Sequence, residues 1–201
     1  MVVKVVALEG PIGAGKSTLL ALLCDLPGVV VVPEPLELWR DLGGCHNLRE
    51  DYYKDPAHHA AAFQLWATHT RMKAVHDVVS AETKAGRDTW VFVERMGPGV
   101  RSFTRFLNEA GHLSDGWQAA VHHMIRDWEA QIPVDLIVRV QVSLEEAQRR
   151  IAKRGRGEEH AVTLTMQSSL ERYLDEDLAS QSVPVLTLSA NEPWDGGSAL
   201  L

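Results

Sequence analysis

Residues Gly10-Pro11-Ile12-Gly13-Ala14-Gly15-Lys16-Ser17 follow a valine-rich run and precede a helical pattern. A G-x-x-x-x-G-K-S segment between a strand and a helix is a phosphate-binding P-loop. Its glycines let backbone N–H groups turn inward on phosphates. The helix that follows offers the positive end of its dipole. Gly10, Gly13, Ala14, Gly15, Lys16, Ser17 and Thr18 are therefore expected to bind the phosphates of a nucleoside triphosphate. Lys16 is expected to reach the β- and γ-phosphates and Ser17 to hold Mg²⁺.

The rest of the chain alternates strands with helices. Val2–Leu8 is an almost unbroken apolar run, as in a central parallel strand buried on both faces. Further strands are expected at Val29–Val32, Thr89–Val93, Leu136–Val142 and Val183–Leu188. Helices are expected over Ser17–Leu26, Asp55–Ala85, Ser102–Ala110, Asp115–Ala130, Ser143–Arg154 and Thr165–Ser180. Asp55-Pro56 reads as a helix start, Gly86 as a stop, and Ser143-Leu144-Glu145-Glu146 as a capping box. Gly97-Pro98-Gly99 reads as a turn, Gly155–Glu159 as a polar loop, and the tail after Asn191 as a frayed end. The pattern predicts an α/β fold built on the P-loop: a five-stranded parallel sheet flanked by helices, in one domain over residues 1–201.

A net charge of −7 and a pI near 5.7 argue against nucleic acid or an anionic membrane as partner. Cys24 and Cys45 have no metal-site spacing. Adjacent histidines such as His58-His59 and His122-His123 should diverge around their helices and not chelate one metal. The N-terminus shows no secretory signal and no apolar run approaches the ~20 residues of a membrane span. An intracellular, cytoplasmic setting is expected.

Several residues point to the phosphate's destination. Glu34 follows the second strand, at the sheet edge where such folds bind ligands. It is either a base for an attacking hydroxyl or a capping acid in a turn. Glu94 and Arg95 end the third strand and point to opposite faces. Glu94 then holds Mg²⁺ and Arg95 points at phosphate or Glu34, unless they form a surface ion pair. Arg150, Arg154 and Arg156 lead into the glycine loop, either as a lid over the phosphates or as a basic helix end. Gln64, Ala67 and Arg71 share a helix face, with Gln64 and Arg71 roughly 10 Å apart along the axis. A glutamine amide suits a base edge, but a plain polar stripe has the same pattern. Phe63 and Trp66 read as core.

These residues resemble the deoxynucleoside kinases, the group of deoxycytidine, deoxyguanosine and mitochondrial-type thymidine kinases. The resemblance rests on Gly10–Thr18, Pro33–Arg40, Tyr53–Pro56, Phe63-Gln64, Glu94-Arg95 and Arg150–Glu159, in the family's order and spacing. It implies an α/β P-loop kinase fold and transfer of the γ-phosphoryl of ATP, with Mg²⁺, to the 5′-hydroxyl of a deoxynucleoside. By resemblance Glu34 is the base, with Lys16 and Arg95 the other catalytic residues. Trp39 walls the nucleoside pocket beside Phe63. Tyr53 and Glu159 hold the 3′-hydroxyl, and Gln64 reads the base. Arg150, Arg154 and Arg156 form an arginine-rich lid on the donor phosphates. Glu94 sits close to Mg²⁺. The family is commonly a homodimer through its long helices, so Trp117 and Trp128 serve as interface or core.

The chain departs from the family at Met96, where a serine is usual, and at Gly97-Pro98-Gly99. Phe103 is the nearer candidate for a second stacking aromatic and Phe106 the other. Ala67 and Arg71 resemble the branch that accepts deoxycytidine and purines. In that branch an aspartate partners the helix arginine, and here Val100 stands in its place. Base choice is thus open between thymidine or deoxycytidine and purines. A nucleoside monophosphate kinase is a rival, but its anionic acceptor calls for basic residues near Glu34, where Pro33–Glu37 is acidic. A catalytically silent subunit of the same fold is the other rival. Intact Lys16, Ser17, Glu34, Arg95 and lid arginines count against it.

Overall fold

A computed structural model describes residues 2–192 and Trp194. The rest of the tail expected to fray lies outside the described residues. Five strands, β1 (Val3–Glu9), β2 (Val29–Val32), β3 (Thr89–Glu94), β4 (Leu136–Gln141) and β5 (Val185–Ser189), form one sheet. Their order is β2-β3-β1-β4-β5, and every pairing is parallel. β1 is the central strand, which is why it reads as a continuous apolar run.

Successive residues of a strand face opposite sides, and each side of this sheet has its own helices. The helices are α1 (Lys16–Leu23), α2 (Leu36–Arg40), α3 (Leu48–Lys54), α4 (Pro56–Ala85), α5 (Gly97–Glu109), α6 (Asp115–Glu129), α7 (Leu144–Arg154) and α8 (Leu164–Ala179). Val5, Ala7, Val91, Val93 and Ile137 pack against Met72 and Val75 of α4, Val100 of α5, Ile125 of α6 and Leu174 of α8. Val6, Leu8, Val138 and Val140 pack against Leu19, Leu20 and Leu23 of α1 and Ala147 of α7. A third cluster of Trp39, Tyr52, Phe63, Ala67 and Leu107 joins α2, α3, α4 and α5.

The helix ends follow local chemistry. Asp55 accepts from His58 N at 3.2 Å, Pro56 takes the first helical position, and Gly86 closes α4 at φ 63°. Ser143 caps α7 by accepting from Glu146 N at 3.2 Å. The expected capping box is only half made. The Glu146 carboxylate turns to Arg149 and Arg150, and Ser143 N donates to Asn191 Oδ1 at 2.9 Å.

Two expectations change. Gly97-Pro98-Gly99 is not a turn before a helix; it is the first turn of α5 itself. Two carboxylates pack against this turn, Glu9 accepting from Met96 N and Glu129 from Arg101, and a side chain there would collide with them. A Cβ on Gly97 would lie 1.8 Å from Glu129 Oε1, and one on Gly99 2.3 Å from Glu9 Oε2. Secondly, the segment between β2 and α4 carries the short helices α2 and α3, and Gly157–Ala161 is a 3₁₀ turn.

Candidate active site

Parallel pairing puts every strand's carboxyl end on one edge of the sheet, and the register brings particular residues level. Val32 pairs with Val93, and Leu8 with Glu94. Glu34, Glu94, Arg95 and the P-loop therefore meet above three adjacent strands. They line a cleft of about 710 Å³ that also takes in Trp39, Tyr53, Phe63, Gln64, Ala67, Arg71, Phe103 and Glu159. Arg150, Arg154 and Arg156 border it as well.

The P-loop has left-handed glycines at Gly13 and Gly15 (φ 86° and 95°). Gly15 is the N-cap of α1, with no side-chain cap and no acidic residue in the first turn. The first N–H groups of α1 are thus open to an anion. Lys16 Nζ folds back onto the carbonyls of Gly10 (3.1 Å) and Pro11 (2.8 Å). Burial, then repulsion by Arg95, outweighs the pull of Glu94, Glu34 and Glu9 and pushes the Lys16 pKa down to about 8.

Ser17 Oγ donates to Glu94 Oε2 at 2.8 Å, and Lys16 Nζ stands 3.9 Å from Glu94 Oε1. A hydroxyl and a carboxylate side by side at a P-loop are hard oxygen donors of the kind Mg²⁺ takes, together with water and phosphate oxygens. Among the described residues no group of three or more histidine, cysteine, aspartate or glutamate side chains is placed to hold a metal by itself. His58 and His59 do not diverge as expected; their rings meet edge to face at 4.7 Å.

Glu34 is flanked by two cations. Arg71 Nη2 donates to Glu34 Oε1 at 2.8 Å, and Arg95 Nε lies 3.7 Å from the same oxygen. Burial by itself would raise the Glu34 pKa, but Arg71, Arg95 and Lys16 outweigh it and hold the carboxyl below its usual range. The carboxylate is ionised at neutral pH, as a proton acceptor must be. Arg71 also lies 5.1 Å above the Trp39 ring, so the partner left open by Val100 is Glu34. Positive charge does therefore stand beside Glu34, contrary to the acidic look of Pro33–Glu37, but it comes from α4 and β3.

Arg95 has φ 61°, and among the described residues it is the only non-glycine with a positive value. Such a conformation costs about 1–2 kcal/mol, and its neighbours hold it. Arg95 N donates to Leu8 O at 3.1 Å and Met96 N to Glu9 Oε1 at 2.8 Å. The wholly buried Glu9 thereby caps α5 from the end of β1. Its pKa is raised by burial, against the lowering pull of Arg95 and the Met96 and Gly99 amides. The Arg95 guanidinium stands 5.0 Å from the Phe103 ring. Phe103 lines the cleft and Phe106 does not; Phe106 packs between two hydrophobic clusters.

The lid residues are already paired. Arg154 Nη2 and Nε donate to Glu159 Oε2 at 2.7 and 3.0 Å, and Arg156 Nη1 to Oε1 at 3.4 Å. Arg150 donates to Glu146 and to the carbonyls of Ala14 (3.4 Å), Ala190 (2.6 Å) and Asn191 (3.3 Å). It is a strut between α7, the P-loop and the chain after β5. Two residues went unmarked in the sequence: Glu9, which interacts electrostatically with Arg95 and Lys16, and Arg49, which faces Glu159 and Tyr53. Arg49 precedes Tyr53 by one helical turn, the one local signal that could have marked it.

The sequence model of the deoxynucleoside kinase family matches residues 6–196. This chain belongs to the deoxynucleoside kinase family. The kinase is 30% identical to a probable deoxycytidine kinase of fowlpox virus, over 94% of this chain and 79% of that one. It is 26% identical to human deoxycytidine kinase, over 96% and 85% of the two chains. To human mitochondrial thymidine kinase 2 it is 27% identical, over 94% and 71%. It is an ATP-dependent deoxynucleoside kinase. Among its described residues no helix is long and apolar enough to cross a membrane.

Proposed function

We propose that the kinase passes the γ-phosphoryl of ATP to a 5′-hydroxyl bound at Glu34, and that the cleft residues divide the work as follows. Glu34 takes the proton of the 5′-hydroxyl as its oxygen attacks. The new O–P bond forms in line with the bond that breaks, and ADP leaves with the bridging oxygen. Lys16, Arg95, Arg150, Arg154 and Arg156 offset charge on the phosphates. Gly10, Gly13, Ala14, Gly15 and Thr18 complete the cradle around them. Ser17 and Glu94 would hold Mg²⁺, which supplies charge neutralisation between the β- and γ-phosphates.

On the acceptor side, Tyr53 and Glu159 take the sugar 3′-hydroxyl. Burial raises the Tyr53 pKa, and Glu159 and Glu34 raise it further against Arg49, so the phenol stays protonated and can donate. Trp39, Phe63 and Phe103 wall the base, Ala67 leaves room for it, and the Gln64 amide pairs with its edge. Arg71 is tied to Glu34 and Val100 is apolar, which supports a pocket that accepts more than one base, pyrimidines among them.

The carrying observation is that Glu34 is half-buried, ionised and clamped by Arg71 and Arg95 within the field of the P-loop lysine. Glu34→Gln should lower kcat about 10²–10⁴-fold while nucleoside affinity changes only a few-fold. Near-normal turnover in that variant overturns the base assignment. Rates for thymidine, deoxycytidine, deoxyadenosine and deoxyguanosine, side by side, test the breadth of the pocket.

We also infer one catalytic domain over residues 1–201 that acts as a homodimer and binds no nucleic acid. The α4–α6 face supports the dimer. Trp128 lies 5.8 Å from both His69 and His76, and Trp117 is about half exposed at the start of α6. Sedimentation equilibrium of the full chain tests it, with a monomer at micromolar concentration as the contrary result.

A further inference from the structure

Glu159 is 3% exposed and faces three guanidinium groups. Two come from its own segment, Arg154 and Arg156, each about a third exposed. The third, Arg49, comes from α3 and is itself buried, with Nη2 3.5 Å from Glu159 Oε1. One turn on, Tyr53 lies under the same group, its ring centroid 5.4 Å from the Arg49 guanidinium carbon. Arg49, Tyr53 and Glu159 all line the cleft.

One carboxylate cannot satisfy three cations for long once a stronger anion enters. ATP carries several phosphate charges, and the exposed Arg154 and Arg156 are the groups free to swing to them. Glu159 would then be a buried carboxylate stripped of two partners, a costly state unless a cation stays. Arg49 is the one that stays, because it is buried and belongs to another element, α3, while Arg154 and Arg156 are each about a third exposed.

We propose that Arg49 is a positioning residue for the sugar site: it holds the Glu159 carboxylate in place beside Tyr53 when the lid arginines leave for the donor. Glu159 then links the two substrates. Donor binding draws off Arg154 and Arg156 and frees carboxylate oxygens for the sugar hydroxyl. This rests on the assignment of Tyr53 and Glu159 to the 3′-hydroxyl.

The test compares each 2′-deoxynucleoside with its 2′,3′-dideoxy counterpart in the wild type, Arg49→Leu and Arg49→Lys. Loss of a hydrogen bond to a charged group should cost the wild type about 10–100-fold in kcat/KM. In Arg49→Leu that penalty should shrink to a few-fold, and KM for ATP should rise several-fold as Glu159 retains the lid arginines. Arg49→Lys should keep most of the wild-type penalty. Should Arg49→Leu not fold, Arg49→Gln gives the same comparison with a neutral, hydrogen-bonding side chain. An unchanged 3′-hydroxyl penalty in the neutral variants overturns the role of Arg49 alone. No penalty in the wild type overturns the sugar assignment and this inference together.

Discussion

Arg71 of α4 donates to Glu34 Oε1 at 2.8 Å, so the helix arginine is bound to the proposed proton acceptor and not to an acid on α5. The residue that could have competed for it, at the position of Val100, is apolar and buried. One guanidinium therefore does most to offset burial at Glu34 and also borders the cleft.

Replacing Arg71 by methionine should move the acid limb of kcat upward in pH. The sign follows from the balance at Glu34: burial raises its pKa, and Arg71 is the largest opposing influence. With Arg71 gone, burial prevails and the carboxyl protonates at higher pH, where the base is lost. The wild type should show no such limb above the usual carboxylate range. A pH–rate profile at saturating substrates decides it, and coincident acid limbs would contradict the pairing.

Lys16 sets an alkaline limb. Its pKa of about 8 belongs to the protein without phosphates. The value of kcat/KM for ATP should fall as pH rises past about 8. The limb in kcat should lie higher, because bound phosphates favour the charged amine. Folding stability runs the other way. The folded pKa is below the ordinary lysine value of 10.5, so the unfolded chain binds more protons between about 8 and 10.5, and stability gains with pH across that window. Identical alkaline limbs in kcat and kcat/KM would count against Lys16 as the titrating group.

Gly99→Ala should destabilise the kinase. The new Cβ would stand 2.3 Å from Glu9 Oε2, and the wholly buried carboxylate has no free space into which to retreat. Overpacking of this kind costs about 1–3 kcal/mol, and each kcal/mol lowers Tm by about 2–4 °C in a chain of this size. Calorimetry checks it. An unchanged Tm would mean that Glu9 is not held against α5.

Arg101 ties three helices together. It donates to Asp177 of α8 and to Glu129 of α6, each at 2.9 Å. Arg101→Ala should cost about 1.5–3 kcal/mol, the range for a charged hydrogen bond, with KM for ATP little changed. Chemical denaturation measures the first and steady-state kinetics the second. A large rise in KM with intact stability would reverse this assignment.

The fold was largely legible because its signals are local. The P-loop is eight consecutive residues, the strands show their burial in runs of valine, and Asp55, Gly86 and Ser143 mark helix ends by their own caps. Gly97-Pro98-Gly99 misled because the same residues serve a turn and the crowded first turn of a helix. Only Glu9 and Glu129, distant in sequence, decide between the two. The short helices α2 and α3 were missed because their burial depends on α4 and not on a repeating stripe of their own.

The sequence by itself determined that a triphosphate is held, that the sheet is parallel, and which residues stand at its carboxyl edge. Each follows from neighbours along the chain, from backbone conformation and from periodicity. Only the tertiary structure decided which charge meets which. Arg71 with Glu34, Arg49 with Glu159 and Glu9 with Met96 N are all pairings between separate elements. Register and helix packing fix those distances. A guanidinium has no preference written in its own sequence for one buried carboxylate over another; it takes the one that the fold brings within reach.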